Sequence, residues 1–298
     1  MRNTKMLEAA LLGSASALGL NWIYDREILK KESKKGSMIF RTIDHDLYSK
    51  SEKSFDVYPN HQLGQLDFMG EVLYLYHMFY EYEKADTIER WQEYLYEYFR
   101  KENEYDGYLE SYGKDFLYRF KEAIENKEKQ LEETTYIDKQ LGGLVFLLEL
   151  YENDHSIDKI GEAVKYSKTL TAYTNISSLT VMLNELIKKL DYGIKKDDAL
   201  EDVIELAPEV YKNSLNAAVT IENTDVFVDN YAGVACEIGL SLPLIFHIIK
   251  KSSSWKEAME MNATLGGASC ARGIYISAIL SRIYEIPEKY KILLFYKI

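Results

Sequence analysis

Leu179, Met182, Leu183, Leu186, Ile187 and Leu190 recur at the i, i+3, i+4, i+7 spacing that lines one face of an α-helix with apolar side chains. Met69, Val72, Leu73, Tyr76, Phe79 and Tyr80 repeat the pattern earlier in the chain. Such stripes must be buried against another element, and alternating strand patterns bounded by turn residues are nearly absent. The one extended candidate is short, at residues 221–228. Helix start signals agree: Asp86 with Glu89, and Ser254 with Glu257, have the spacing of a capping box. Only four prolines (Pro59, Pro208, Pro243, Pro287) interrupt 298 residues, and no glycine- or proline-rich linker divides them. The expectation is one all-α domain over residues 1–298.

Arg2 and Lys5 precede a small apolar run in which Ala15-Ser16-Ala17 looks like a signal-peptide cleavage site. Glu8 interrupts that run, and Leu7, Ala10, Leu11, Ser14, Ala17 and Leu18 share a helical face, which favours a buried first helix. Residues 231–249 carry Glu237, Pro243 and His247, so they read as a core helix rather than a membrane span. Lysine plus arginine number 36 against 48 acidic residues, a net charge of −12. Nucleic acid and anionic membrane are therefore not expected as main partners, because phosphates need clustered cations. Two cysteines without regular spacing fit free thiols in a reducing, cytoplasmic setting. Of the 25 tyrosines, many fall between Tyr74 and Tyr118 among glutamates, which favours core aromatics with wet hydroxyls over a base-stacking surface.

Familiar catalytic groupings find little support. Cys236 and His247 lie on nearly the same side of one expected helix, but eleven residues set them roughly 16 Å apart. The five histidines (His45, His61, His77, His155, His247) show no zinc spacing, and Asp44-His45-Asp46 has the look of a solvated acidic loop. No Walker-type phosphate loop occurs, and Gly13 with Gly19 makes no dinucleotide fingerprint.

Residues 262–273, Asn-Ala-Thr-Leu-Gly-Gly-Ala-Ser-Cys-Ala-Arg-Gly, are more informative. Two glycines open a helical run, a turn suited to an anion or to an oxygen-rich metal cluster. Cys270 beside Arg272 is either a mildly activated thiol or a buried structural one. Three shorter polar segments precede helices: Gly64-Gln65-Leu66-Asp67-Phe68-Met69-Gly70-Glu71, Tyr105-Asp106-Gly107-Tyr108-Leu109-Glu110 and Leu170-Thr171-Ala172-Tyr173-Thr174-Asn175. Each also has a plain role, with Asp67 and Asp106 as caps or turn formers and Asn175 as a cap.

Taken in order, these segments resemble the ADP-ribosylglycohydrolase family, in particular a bacterial branch whose members begin with a small-residue helix running into His-Trp-Ile-Tyr-Asp. Here that stretch reads Gly13-Ser14-Ala15-Ser16-Ala17-Leu18-Gly19-Leu20-Asn21-Trp22-Ile23-Tyr24-Asp25. The segment from Gly64 to Glu71 resembles the family's Gly-Asp-x-Thr-x-Tyr-Gly block, Tyr105 to Leu109 its Tyr-Asp-Gly-Tyr turn, and Thr171 to Asn175 its Thr-His-x-Asn segment. The stretch from Cys236 through Pro243 and Asn262 to Arg272 resembles its closing Gly-Gly-Asp-Ser block.

The resemblance implies a compact multi-helix fold with a central cleft. It also implies hydrolysis of the glycosidic bond joining ADP-ribose to a protein side chain or small acceptor, with two magnesium ions held by carboxylates. This chain departs from the family at its charged positions. Ser14, Gln65 and Ala268 stand where the family has aspartates, and Asn21 and Ala172 where it has histidines. The flanking glycines, aromatics and apolar residues remain. A magnesium pair is therefore expected to be absent, because a neutral cavity cannot offset the cost of dehydrating the ions.

Three functions stay open. The first is a pseudoenzyme whose cleft binds ADP-ribose, a related nucleotide or an ADP-ribosylated protein through Asp67, Asp106, Tyr108, Asn175, Asn262, Ser269 and Arg272. In this reading Arg272 meets a phosphate; otherwise it is an inward arginine paired with an acid. The second is an active hydrolase with altered ligands, in which Asp67 or Asp106 is the general base or binds one metal, and Asp25 or Glu71 helps rebuild the site. The third is a structural or regulatory protein with an unused cleft.

Overall fold

The computed structural model describes residues 5–83, 87–100, 105–127, 133–151 and 158–298. These residues are helical throughout, apart from loops and two isolated antiparallel bridges, Ile23 to Ser54 and Gln140 to Glu237. The first third of the chain holds α1 (Lys5–Ala17), α2 (Arg26–Ser33), α3 (His45–Lys50), α4 (Phe68–Met78) and α5 (Ile88–Phe99). Next come α6 (Ser111–Glu125), α7 (Phe146–Leu150), α8 (Lys159–Ser167), α9 (Ile176–Asp191) and α10 (Lys196–Val203). The last third holds α11 (Glu209–Thr220), α12 (Thr224–Asn230), α13 (Ile238–Lys251), α14 (Trp255–Leu265), α15 (Ser269–Leu280) and α16 (Glu288–Lys291).

At the centre α1 lies against α15, and both are buried along nearly their whole length. No other helix pair among the described residues is in such extensive contact. Small side chains allow it: a Cβ on Gly13 would overlap the Gly273 carbonyl oxygen, and a Cβ on Gly273 would overlap that of Gly13. Polar groups inside the contact are satisfied, since the Ser277 hydroxyl donates to the Ala9 carbonyl and accepts from Trp255 Nε1 at 2.7 Å. Around this pair pack α4, α7, α13 and α14, and one apolar cluster runs from Met6 to Tyr290.

The helical stripes read from the sequence face inward. Leu179, Met182, Leu183, Leu186, Ile187 and Leu190 are all buried on α9. On α4, Met69, Val72, Leu73 and Tyr76 are buried, and the helix runs on into a π turn, Phe79–Glu83. Ser254 caps α14 by accepting from Glu257 N at 3.2 Å, while the Glu257 carboxylate reaches back to Ser253 rather than Ser254. Asp86 lies outside the described residues, and α5 is capped by Thr87, whose hydroxyl accepts from Arg90 N at 3.3 Å.

Two expectations change. Residues 224–230 are helical rather than extended, because Asn223 caps α12 by accepting from Val226 N at 3.0 Å. Cys236 lies before α13 and does not share its helix with His247. The His247 ring is buried, with Nδ1 3.0 Å from the Ala218 carbonyl and Nε2 3.0 Å from the Thr224 hydroxyl, which makes it a core residue. His155 lies outside the described residues. Among the described residues, no helix is long and apolar enough to cross a membrane.

Because carbonyl oxygens rather than flexible side chains occupy the space a methyl would need, Gly273→Ala is expected to destabilise the protein by about 3 kcal/mol. Urea unfolding checks this, and an unchanged midpoint would refute the close crossing.

Candidate functional site: a buried acidic row beneath an aromatic rim

Asp67 caps α4, its Oδ1 accepting from Gly70 N at 3.0 Å. Ser14 on α1 donates to the same oxygen at 2.8 Å and accepts the Asp67 N–H at 3.2 Å. Burial raises the Asp67 carboxyl to about 6 in spite of these donors. Glu71, one turn further on, is pushed up to about 7 by burial, against hydrogen bonds from the Tyr296 hydroxyl and from Tyr98 Oη at 3.1 Å.

Glu110 stands at the N-cap position of α6, yet its side chain makes no capping bond. Burial raises it to about 8, with further contributions from Asp67 and Asp138, and Lys114 opposes them. Asp138 is buried nearby, accepting from Ser111 Oγ at 2.6 Å and Gln140 N at 2.8 Å. Its own N–H meets Thr171 Oγ1 at 3.0 Å. Burial thus raises Glu110 further than Asp67, so of these two carboxyls Glu110 holds its proton the more tightly.

The other wall comes from the Gly266–Gly267 turn, where both residues have positive φ (72° and 65°). Trp22 N donates to the Gly267 carbonyl at 2.7 Å, and Gly267 N to that of Ile23 at 2.7 Å. Trp22 itself takes a left-handed conformation, φ 65°, unusual for a bulky residue. Asn21 caps the first turn of α15, its Oδ1 accepting from Cys270 N at 3.1 Å. Asn262 donates to the Ser269 carbonyl at 2.7 Å and accepts from Arg272 Nε at 3.1 Å.

Arg272 is fully buried and points inward, as one reading required, but its partners are neutral rather than acidic. Besides Asn262 it donates to the carbonyls of Val234, at 2.8 Å, and Gly266. Burial lowers it to about 10. Cys270 is buried too, and its thiol is held well above the ordinary range by that burial, as in a structural cysteine. Ser269 is also fully buried, and its hydroxyl has no hydrogen-bond partner.

At the rim, Trp22 meets Tyr108 edge-on at 4.9 Å and Phe55 at 6.1 Å. Tyr24 meets Phe55 at 6.1 Å. Lys114 Nζ lies 4.0 Å from the centre of the Tyr108 ring, and Lys53 Nζ 5.0 Å from that of Tyr24. Tyr24 is raised to about 12, chiefly by burial, and feels Cys236, Arg272 and Glu110, which ties the rim to the acidic row.

Of the residues singled out from the sequence, Asp67 lies at the centre of the row and Tyr108 at the rim. Asn262, Ser269 and Arg272 form a buried frame behind them. Asp106 is exposed on its turn, with Asn60 Nδ2 at 3.1 Å and His61 Nδ1 at 3.7 Å, and Glu110 rather than Asp106 neighbours Asp67. Asn175 makes no side-chain cap on α9 and donates instead to Tyr173 Oη at 2.9 Å. Asp25 caps α2 by accepting from Ile28 N at 3.0 Å. Sequence reasoning passed over Glu110 and Asp138; the signal for Glu110 was a carboxylate ending a turn directly before a helix.

Of the substituted positions, Ser14 and Asn21 are bonded to Asp67 and Cys270. Ser14, Asn21 and Ala268 are buried beside Asp67 and Cys270, Gln65 Oε1 accepts from Gln62 N at 2.5 Å, and Ala172 N donates to the Tyr136 carbonyl at 2.8 Å. These residues differ in donor character from the carboxylates that the resemblance puts at their positions. Ser14 offers a neutral hydroxyl, Ala268 offers nothing, and Asp67 Oδ1 is engaged by two donors.

The row also sets a pH dependence. Raised carboxyl pKa values stabilise the fold below the unfolded value of roughly 4.5 and lose that stability as pH climbs through the folded values. Between pH 6.5 and 8 the Tm is expected to fall as Glu71 and Glu110 ionise. Glu110→Gln should flatten that slope and melt higher than the parent at pH 8, as differential scanning calorimetry would show; an unchanged slope would refute the buried, proton-retaining Glu110.

No known protein-family profile matches the chain, and no curated protein does. Among solved structures it is similar to an ADP-ribosylglycohydrolase-related protein complex, with 11% sequence identity and a TM-score of 0.64. The match covers 97% of this chain and 95% of the other. Together with the helix order above, this shows that the chain has an ADP-ribosylglycohydrolase-like all-α fold.

Proposed function

We propose that this protein binds ADP-ribose or a closely related nucleotide in the space between the acidic row and the aromatic rim, without a two-magnesium hydrolytic centre. The observation that carries the reading is Lys114, which interacts with the buried Glu110 and lies 4.0 Å from the centre of the Tyr108 ring, so that acidic row and aromatic rim adjoin. Carboxyls lie below, where ribose hydroxyls can donate to them. Half-buried aromatics with lysines against their rings lie above, where an adenine can stack and a diphosphate can find cations. Arg272, already bonded to carbonyls, acts here as a strut that holds the Gly266 turn and Val234 in place rather than as the phosphate ligand. The Ser14–Asp67 bond supports the loss of the metal pair, because it fills with a neutral hydroxyl the place where the resemblance puts a carboxylate.

Titration with ADP-ribose should raise the Tm in a dose-dependent way, and magnesium should add nothing. Trp22→Ala should weaken binding about tenfold, the loss of one stacking contact. Absence of any shift with ADP-ribose, or a large shift with magnesium alone, would overturn the reading.

A second reading rests on the split pair. Glu110, the higher of the two in pKa, and Asp67, the lower, suit a general acid and a general base working on a glycosidic bond without metal. Release of ADP-ribose from a modified arginine or serine substrate, abolished by Glu110→Gln and by Asp67→Asn, would favour this alternative.

A further inference from the structure

At the far end of α4 from Asp67, roughly 15 Å along the helix, lies a second group of ligand-type side chains. His77 on α4, Glu81 in the π turn that follows it and Glu149 on α7 each bring one nitrogen or oxygen within 4.8 Å of the others. It is the one such trio of histidine, cysteine or carboxylate atoms among the described residues. His77 and Glu149 are both about 5% exposed.

The geometry between them is not that of an ordinary ion pair. His77 Nδ1 comes within 3.2 Å of Glu149 Oε2, yet the buried nitrogen has no hydrogen-bond partner, so the approach is off the axis of a hydrogen bond. Two ligands bound to one ion at about 2.1 Å stand about 3.0 Å apart at a right angle and about 3.4 Å apart in a tetrahedron. The observed separation falls between those limits. Glu81 offers a third ligand atom, a carboxylate oxygen within 4.8 Å of the other two. Spacing of four residues puts His77 and Glu81 on successive turns, and the π turn Phe79–Glu83 adjusts where Glu81 lands.

We propose that His77, Glu81 and Glu149 bind one divalent transition-metal ion that staples α4 to α7. One imidazole and two carboxylates suit zinc, manganese or cobalt, whereas magnesium and calcium favour oxygen-only shells. Water completes the coordination, and the two negative charges balance the ion. Nothing in this site depends on the nucleotide reading, since Asp67 lies at the opposite end of α4.

The test uses full-length protein stripped with a chelator, dialysed and titrated with zinc chloride alone. Calorimetry should give one equivalent, accompanied by a rise in Tm that cobalt reproduces and magnesium does not. Glu149→Gln and Glu81→Gln, which keep side-chain shape and whose folding is checked by circular dichroism, should each weaken zinc binding about 100-fold or more. His77→Phe should abolish it; if that variant fails to fold, the two glutamine variants decide. Cys236→Ser and His45→Ala should bind like the parent. No uptake, uptake indifferent to both glutamine variants, or uptake lost with Cys236→Ser or His45→Ala would each overturn the site.

Discussion

Two glycines in contact, Gly13 near the start of the chain and Gly273 near its end, set the distance at which every other helix must settle. With a carbonyl oxygen where a side chain would otherwise stand, α1 and α15 approach so closely that the crossing tolerates no added carbon. The remaining helices then pack around a rigid two-helix post, and both walls of the candidate site hang from it. Ser14, one residue beyond Gly13, reaches Asp67, and Cys270, one turn before Gly273, receives the cap from Asn21. Site and scaffold are thus one construction, because the residues that fix the crossing are neighbours of those that hold the polar groups.

The contrast between the walls is electrostatic. Buried carboxyls on the α4–α6 side hold their protons more tightly than they would in water, chiefly because burial penalises the charged form and further because neighbouring carboxyls repel one another. On the α15 side a buried guanidinium with neutral partners gives up part of its basicity. Neither wall carries the paired opposite charges that would let both sides ionise fully.

Much of the helical frame could be read from the residues. The α9 stripe, the α4 stripe and the small-residue face of α1 have the right period and are buried. The positions emptied of charge (Ser14, Asn21, Ala268) cluster in space, although they are far apart in the chain. What local pattern could not supply was burial of particular polar groups. Glu110 looks like any capping acid until Asp67 and Asp138 come to lie beside it, and Asp106, four residues earlier in the same segment, stays in solvent. Residues 221–228 carry β-branched and aromatic side chains, but Asn223 closes a helical turn ahead of them. Arg272 found carbonyls instead of an acid because its partners Val234 and Gly266 come from loops whose paths depend on the assembled core.

The order of synthesis gives the central crossing a kinetic side. Residues of α1 leave the ribosome before their partner α15, which follows about 260 residues later, tens of seconds at ordinary elongation rates. Glu71 waits longer still, because the hydroxyl of Tyr296 closes over it near the end of the chain. During that interval the face of α1 that meets α15 has no native surface to cover it, although α4 and α7 can already reach the rest of the helix, so closing the central crossing is a late, long-range event.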